Sequence, residues 1–130
     1  MEALIWVALG GAFGAVARYY FYKFLPKPLD FPLATFTVNA IASFVLGFVL
    51  GLFEYQRGLP DQFKLAVATG FCGALSTFST FVADDYFLLM DGNWLMAAIY
   101  TAVSIVVGIA LVKAGDQFAY LLLNGRGGMP

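Results

Sequence analysis

The sequence predicts an all-α membrane protein with four transmembrane helices, and three observations carry that prediction. Of 130 residues, 62% are hydrophobic and only 12% charged, more apolar surface than a water-soluble domain of this length can bury. The chain divides into four apolar windows, each long enough to supply the roughly 20 residues that cross about 30 Å of hydrocarbon. Most charges and all the prolines fall outside those windows, in turns and at the chain ends.

The expected spans are residues 3–22, 33–53, 63–89 and 94–112 or slightly beyond, in a single four-helix domain covering 1–130. The first begins after Glu2, has no basic segment before it and no cleavage pattern before Arg18, so it reads as a retained span rather than a signal peptide. It carries Gly10 and Gly14 at four-residue spacing, with Gly11 and Ala15 beside them. The second, entered through Pro26, Pro28 and Pro32, carries Gly47 and Gly51. Such small-residue faces let helix backbones approach closely in lipid, where no hydrophobic effect draws helices together. Trp6, Trp94 and the Tyr19, Tyr20 and Tyr22 cluster sit near span ends, as interfacial anchors do. Arg18 must snorkel to the headgroups or find partners, and snorkelling is the expectation.

The third span is the most informative. From Gly70 to Phe81 it sets glycines and a hydroxyl-rich run in mid-membrane, which predicts a broken helix. A break frees carbonyls that lipid cannot satisfy, so it must be buried in protein or occupied by a cation. A monovalent cation held by carbonyls at a subunit interface meets that need. The other reading is an unbroken helix whose Ser and Thr side chains bond back onto the preceding turn.

Two polar stripes cross the apolar windows. Thr35, Asn39 and Ser43 stand at i, i+4 and i+8 on the second span; Tyr100, Ser104 and Gly108 repeat the spacing on the fourth. They either join helices or line a wet path. Phe78 and Phe81 share a helix face. Aromatic rings carry positive charge on their edges, and Asn39 offers amide N–H donors without an ionisable proton, so together they would make a neutral lining favourable to a small anion.

Several functions are disfavoured. Cys72 is the one cysteine and there is no histidine, which argues against a disulfide or a Cys/His metal site. A net charge of −1 gives no basic surface for nucleic acid. No nucleophile and base pair marks an enzyme. No ionisable relay occupies the middle of a span, with Asp84 and Asp85 arriving only toward the end of the third, so passive flow is favoured over proton coupling.

Loop charges leave orientation open. Arg57, Lys64, Lys113 and Arg126 lie on one side; Lys23 and Lys27 lie on the other, with Arg18 close to that boundary. So even a count permits insertion in both directions, and hence antiparallel pairing of two copies, although one or two residues can also fix a single topology.

Three blocks carry a family resemblance: Gly10-Gly11-Ala12-Phe13-Gly14-Ala15-Val16-Ala17-Arg18-Tyr19, Thr35-Phe36-Thr37-Val38-Asn39, and the run from Gly70 to Phe81. In these the sequence resembles the Fluc, or CrcB, family of fluoride channels, and the likeness covers nearly the whole chain. It implies a multi-pass protein of the bacterial plasma (inner) membrane that lets cytoplasmic fluoride leave passively. It further implies an antiparallel, dual-topology homodimer in the lipid bilayer, with two pores and a central structural sodium ion (Na+). By position, Asn39, Phe78 and Phe81 would line the fluoride path, with Thr35, Tyr100, Ser104 and Ser79 extending it. Carbonyls of Gly73 and Ser76 would hold the sodium, and Arg18 and Asp84 would serve structural or vestibule roles. Ala42, Ala74, Ser76, Val82 and Asp84 depart from the residues common in that family, and Gly108 lacks a hydroxyl. Two alternatives stand beside this reading. A small multidrug-type proton-coupled transporter would need a carboxylate in the first span, where residues 3–22 hold none; a non-transporting membrane subunit would use the stripes only as helix glue.

Overall fold

The computed structural model describes residues 1–28 and 30–125; Arg126, counted above among the loop charges, lies outside them. Every regular element is helical among the described residues. Helix α1 is Glu2–Phe24 and α2 is Leu33–Tyr55. Helix α3 covers 61–75 and is built from Asp61–Lys64, Leu65–Cys72 and Gly73–Leu75. Helix α4 is Phe78–Met90 and α5 is Trp94–Asn124. Four stretches, Glu2–Phe24, Leu33–Tyr55, Asp61–Met90 and Trp94–Asn124, are long and apolar enough to cross a membrane.

Local chemistry sets the ends. Pro32 and Pro60 precede α2 and α3, where a missing N–H costs nothing. Gly58 and Gly92 turn the chain at φ +85° and +76°, a region that favours glycine. The Asn93 side chain then caps α5, accepting the Met96 N–H at 3.3 Å. Helix α5 runs 31 residues, well past the expected end near 112. Lys113, Asp116 and Gln117 dilute the hydropathy there without breaking the helix, because none of them opposes helical geometry.

Packing follows the glycines. Helix α1 lies along α3, and α2 along α5. A Cβ placed on Gly10 would stand 1.8 Å from the Ala66 carbonyl oxygen, and one on Gly14 would stand 2.3 Å from that of Phe71. Across the other pair, a Cβ on Gly47 would meet the Val112 carbonyl at 2.0 Å and one on Gly115 that of Phe44 at 2.2 Å. Val38, Ala42, Cys72 and Leu75 form the buried cluster that joins α2 to α3.

Two departures from α geometry occur in the third stretch. Residues Leu65–Cys72 wind as a π-helix, with backbone bonds reaching one residue farther than in an α-helix. After Leu75 the chain leaves helical geometry: Ser76 has φ −72° and ψ 157°, Thr77 φ −152° and ψ 112°. Helix α4 then restarts under its own cap.

Candidate functional site

Two extended residues between helices leave backbone groups without helical partners, and in an apolar surrounding each of those needs a replacement. Asn39, projecting from α2, provides it. Its Oδ1 accepts the Thr77 N–H at 2.7 Å and its Nδ2 donates to the Thr77 carbonyl at 3.3 Å. One side-chain amide thus pairs with both polar groups of one residue as a neighbouring strand would. Ser43 donates to the Asn39 carbonyl at 2.7 Å, in the i−4 pattern that leaves the Asn39 side chain free to reach across.

Thr77 itself is buried, at 6% exposure, and caps α4. Its Oγ1 accepts the Thr80 N–H at 3.2 Å, donates to Thr80 Oγ1 at 3.0 Å and lies 3.4 Å from Ser79 Oγ. Replacing Thr77 with valine keeps the shape and removes the cap, and is expected to cost about 1 kcal/mol of folding stability, read as a lower midpoint of thermal unfolding in detergent.

Arg18 finds a protein partner. Its Nη1 donates to the Ser76 carbonyl at 3.4 Å, which draws the end of α1 to the interruption. Ser76 bonds back onto the Cys72 carbonyl at 2.7 Å, so part of the hydroxyl-rich run does behave as helix-internal glue. Gly73 is exposed, and a Cβ there would meet nothing within 4 Å. Because Thr77 gives its N–H to Asn39, the Gly73 carbonyl lacks the donor that a continuing α-helix would supply.

Aromatic rings form a wall running from the interruption toward the end of α4. Phe78 and Phe81 have centroids 6.0 Å apart, and Phe81 lies 5.1 Å from Tyr100. Phe78 is 78% exposed, whereas Tyr100 is fully buried. The Tyr100 hydroxyl donates to Asp84 Oδ2 at 3.2 Å. Nearby, the Tyr22 and Thr35 hydroxyls share a bond of 2.6 Å. Thr35 and Asp84 line an open pocket of about 310 Å³ with Tyr22, Lys27 and Phe31. The Phe31 ring stands edge-on to Tyr100, with centroids 5.5 Å apart.

Deeper between α2 and α5, Asn39, Ser43 and Ser104 line a cavity of about 20 Å³ with Phe36, Ala40, Val107 and Gly108. Ser104 Oγ is buried there without a hydrogen-bond partner. A separate cavity of about 160 Å³ carries Gly73 and Ser76, and Ser43 borders both. The expected residues therefore fall into three groups: Thr35 and Asp84 at the open pocket, with Tyr100 bonded to Asp84; Asn39 and Ser104 at the small cavity; Gly73, Ser76 and Arg18 at the interruption. Phe78 and Ser79 stand exposed at the start of α4. Sequence reasoning missed Thr77 as the residue that Asn39 holds at the interruption. Its cap spacing to Thr80 was the available signal; the 38 residues separating it from Asn39 gave none.

Comparison with known proteins shows the family. Residues 5–116 match the family model described as "CrcB-like protein, Camphor Resistance (CrcB)". A protein of Ignicoccus hospitalis named "Fluoride-specific ion channel FluC" is 58% identical over 124 residues, 95% of this chain and all of that one. Proteins of the same name from Thermococcus kodakarensis and Maridesulfovibrio salexigens are 46% and 34% identical, covering 87% and 95% of this chain and 92% and 100% of their own. These relatives bear the name of a channel rather than of an enzyme. With a matched segment that reaches every helix and relatives aligned over at least 92% of their own length, this multi-pass membrane protein belongs to the CrcB family.

Proposed function

We propose that this chain is a fluoride-selective channel that lets fluoride leave the cytoplasm passively across the plasma membrane. The observation that carries the reading is the small cavity between α2 and α5. At about 20 Å³ it holds one water-sized species, and Asn39, Ser43 and Ser104 furnish neutral polar groups, one of them the unpartnered Ser104 hydroxyl. The names of the relatives support fluoride as the ion.

Fluoride is small and strongly hydrated, and bare in a low-dielectric medium it would cost tens of kcal/mol. The path must therefore replace its water stepwise, through neutral donors and ring edges that each bind weakly enough to release the ion. Outside, HF crosses membranes uncharged and ionises in a near-neutral cytoplasm. An anion path then lets membrane potential drive fluoride out.

The working unit in this reading is an antiparallel, dual-topology homodimer with two pores. Exposed Phe78 and Gly73 beside the interruption support a partner copy on that face, and the near-even loop charges support insertion in both directions. The same face suits the central sodium. The Gly73 carbonyl is without its helical donor and Gly73 is exposed, so Gly73 and Ser76 of two copies would give four carbonyl oxygens, a donor set fitted to a hard cation. Bound there, the ion would supply fixed positive charge near the anion path.

Liposomes loaded with fluoride and reconstituted with the purified protein are expected to release it rapidly to an ion-selective electrode, while chloride-loaded liposomes retain their contents. Release of neither ion from folded protein would overturn the proposal. Replacing Phe78 or Phe81 with isoleucine is expected to slow fluoride release at least about tenfold, because an aliphatic group of similar bulk has no positive edge. Parent-like flux in both variants would remove the ring edges from the mechanism.

A further inference from the structure

Helix α4 carries both phenylalanines, yet none of its residues is fully buried, and Phe78, Val82, Tyr86, Phe87 and Met90 all stand exposed. Within the chain no close-packed core fixes its rotation. Polar ties must do so. At its start the Asn39–Thr77 pairing holds it to α2. Farther along, successive residues bond to successive residues of α5: Asp84 accepts from the Tyr100 hydroxyl, and Asp85 Oδ2 accepts from Thr101 Oγ1.

Neighbouring residues on a helix point about 100° apart, so two such ties fix rotation as well as distance. Phe78, Phe81 and Asp85 follow the i, i+3, i+7 spacing and lie on one stripe of α4. Any turn of the helix about its axis that breaks the Asp85 bond also moves the rings. We infer that Asp85, through Thr101, is a positioning residue that sets where the Phe78 and Phe81 rings stand. This rests on the proposed fluoride path. The hydrogen bond is what acts: Asp85 Oδ1 is buried without a partner, so only one carboxyl oxygen is engaged.

The test uses full-length protein in liposomes, with the ratio of fluoride efflux to the amount of monodisperse protein incorporated as the readout. Loss of folded copies is divided out of that ratio, whereas displaced rings lower it. Asp85→Val and Thr101→Val are each expected to lower the ratio about tenfold, and the double variant no further. Asp85→Asn and Thr101→Ser, which keep an acceptor and a hydroxyl, are expected to stay within about threefold of the parent. An unchanged ratio in Asp85→Val, or Asp85→Asn as impaired as Asp85→Val, would overturn the inference. Absence of fluoride release from the parent protein would instead overturn the channel reading itself.

Discussion

Asn39→Ala is expected to reduce fluoride efflux at least about a hundredfold in reconstituted liposomes. The substitution removes an amide that satisfies both the N–H and the carbonyl of Thr77, a residue only 6% exposed. Each buried group left without a partner costs roughly 1–3 kcal/mol, so losing both suffices for two orders of magnitude in the population of the correctly held interruption. Asn39→Asp separates two roles of the residue. A carboxylate still accepts the Thr77 N–H, but it cannot donate to the Thr77 carbonyl and would repel an anion in the adjoining cavity. Both variants are thus expected to fail, with the aspartate retaining more thermal stability than the alanine. Efflux at the parent rate in Asn39→Ala would show that the interruption holds without its latch.

Larger still is the expected effect of filling the helix contacts. Gly10→Val or Gly47→Val should yield no monodisperse protein by size-exclusion chromatography. The first added carbon alone would lie 1.8 or 2.0 Å from a backbone oxygen of the facing helix, and backbone cannot swing aside as a flexible side chain can. Overpacking of an ordinary core costs about 1–3 kcal/mol; here whole helices must separate, and the cost exceeds that range. Gly11→Ala is the matched control, since a Cβ there would come no nearer than 3.9 Å to its neighbour. Normal yield from Gly11→Ala with none from Gly10→Val would locate the contact to one face of α1.

That face was legible in the sequence, because a four-residue spacing of glycines is itself a packing signal. The helices were legible too, since hydropathy reports what hydrocarbon demands. The boundaries followed less closely. Lys113 and Asp116 mark where apolar composition thins, whereas α5 continues to Asn124 because a helix ends where its hydrogen bonding or caps end. Most residues grouped around the interruption stand out in the sequence, but their relations do not. Asn39 read as a donor toward an anion, and the structure spends one donor and its acceptor on Thr77. Arg18 read as a snorkelling cation, and its nearest acceptor is the Ser76 carbonyl. Both contacts join residues far apart in the chain, and spacing along one helix holds no record of them. The π-winding of residues 65–72, which pack along α1, likewise has no signal in the local sequence.

The length of α5 bears on the membrane the protein can inhabit. Its 31 residues extend about 46 Å, against hydrocarbon of about 30 Å. Beyond Lys113 and Asp116 the helix regains apolar side chains at Leu121, Leu122 and Leu123, while Tyr55 ties the end of α2 to the same region through Asp116 and Tyr120. A thicker bilayer therefore finds further apolar turns to cover, and a thinner one is met by tilting a helix already braced to its neighbour. Tolerance of bilayer thickness is built into the last helix, away from the interruption that Asn39 and Arg18 hold in place.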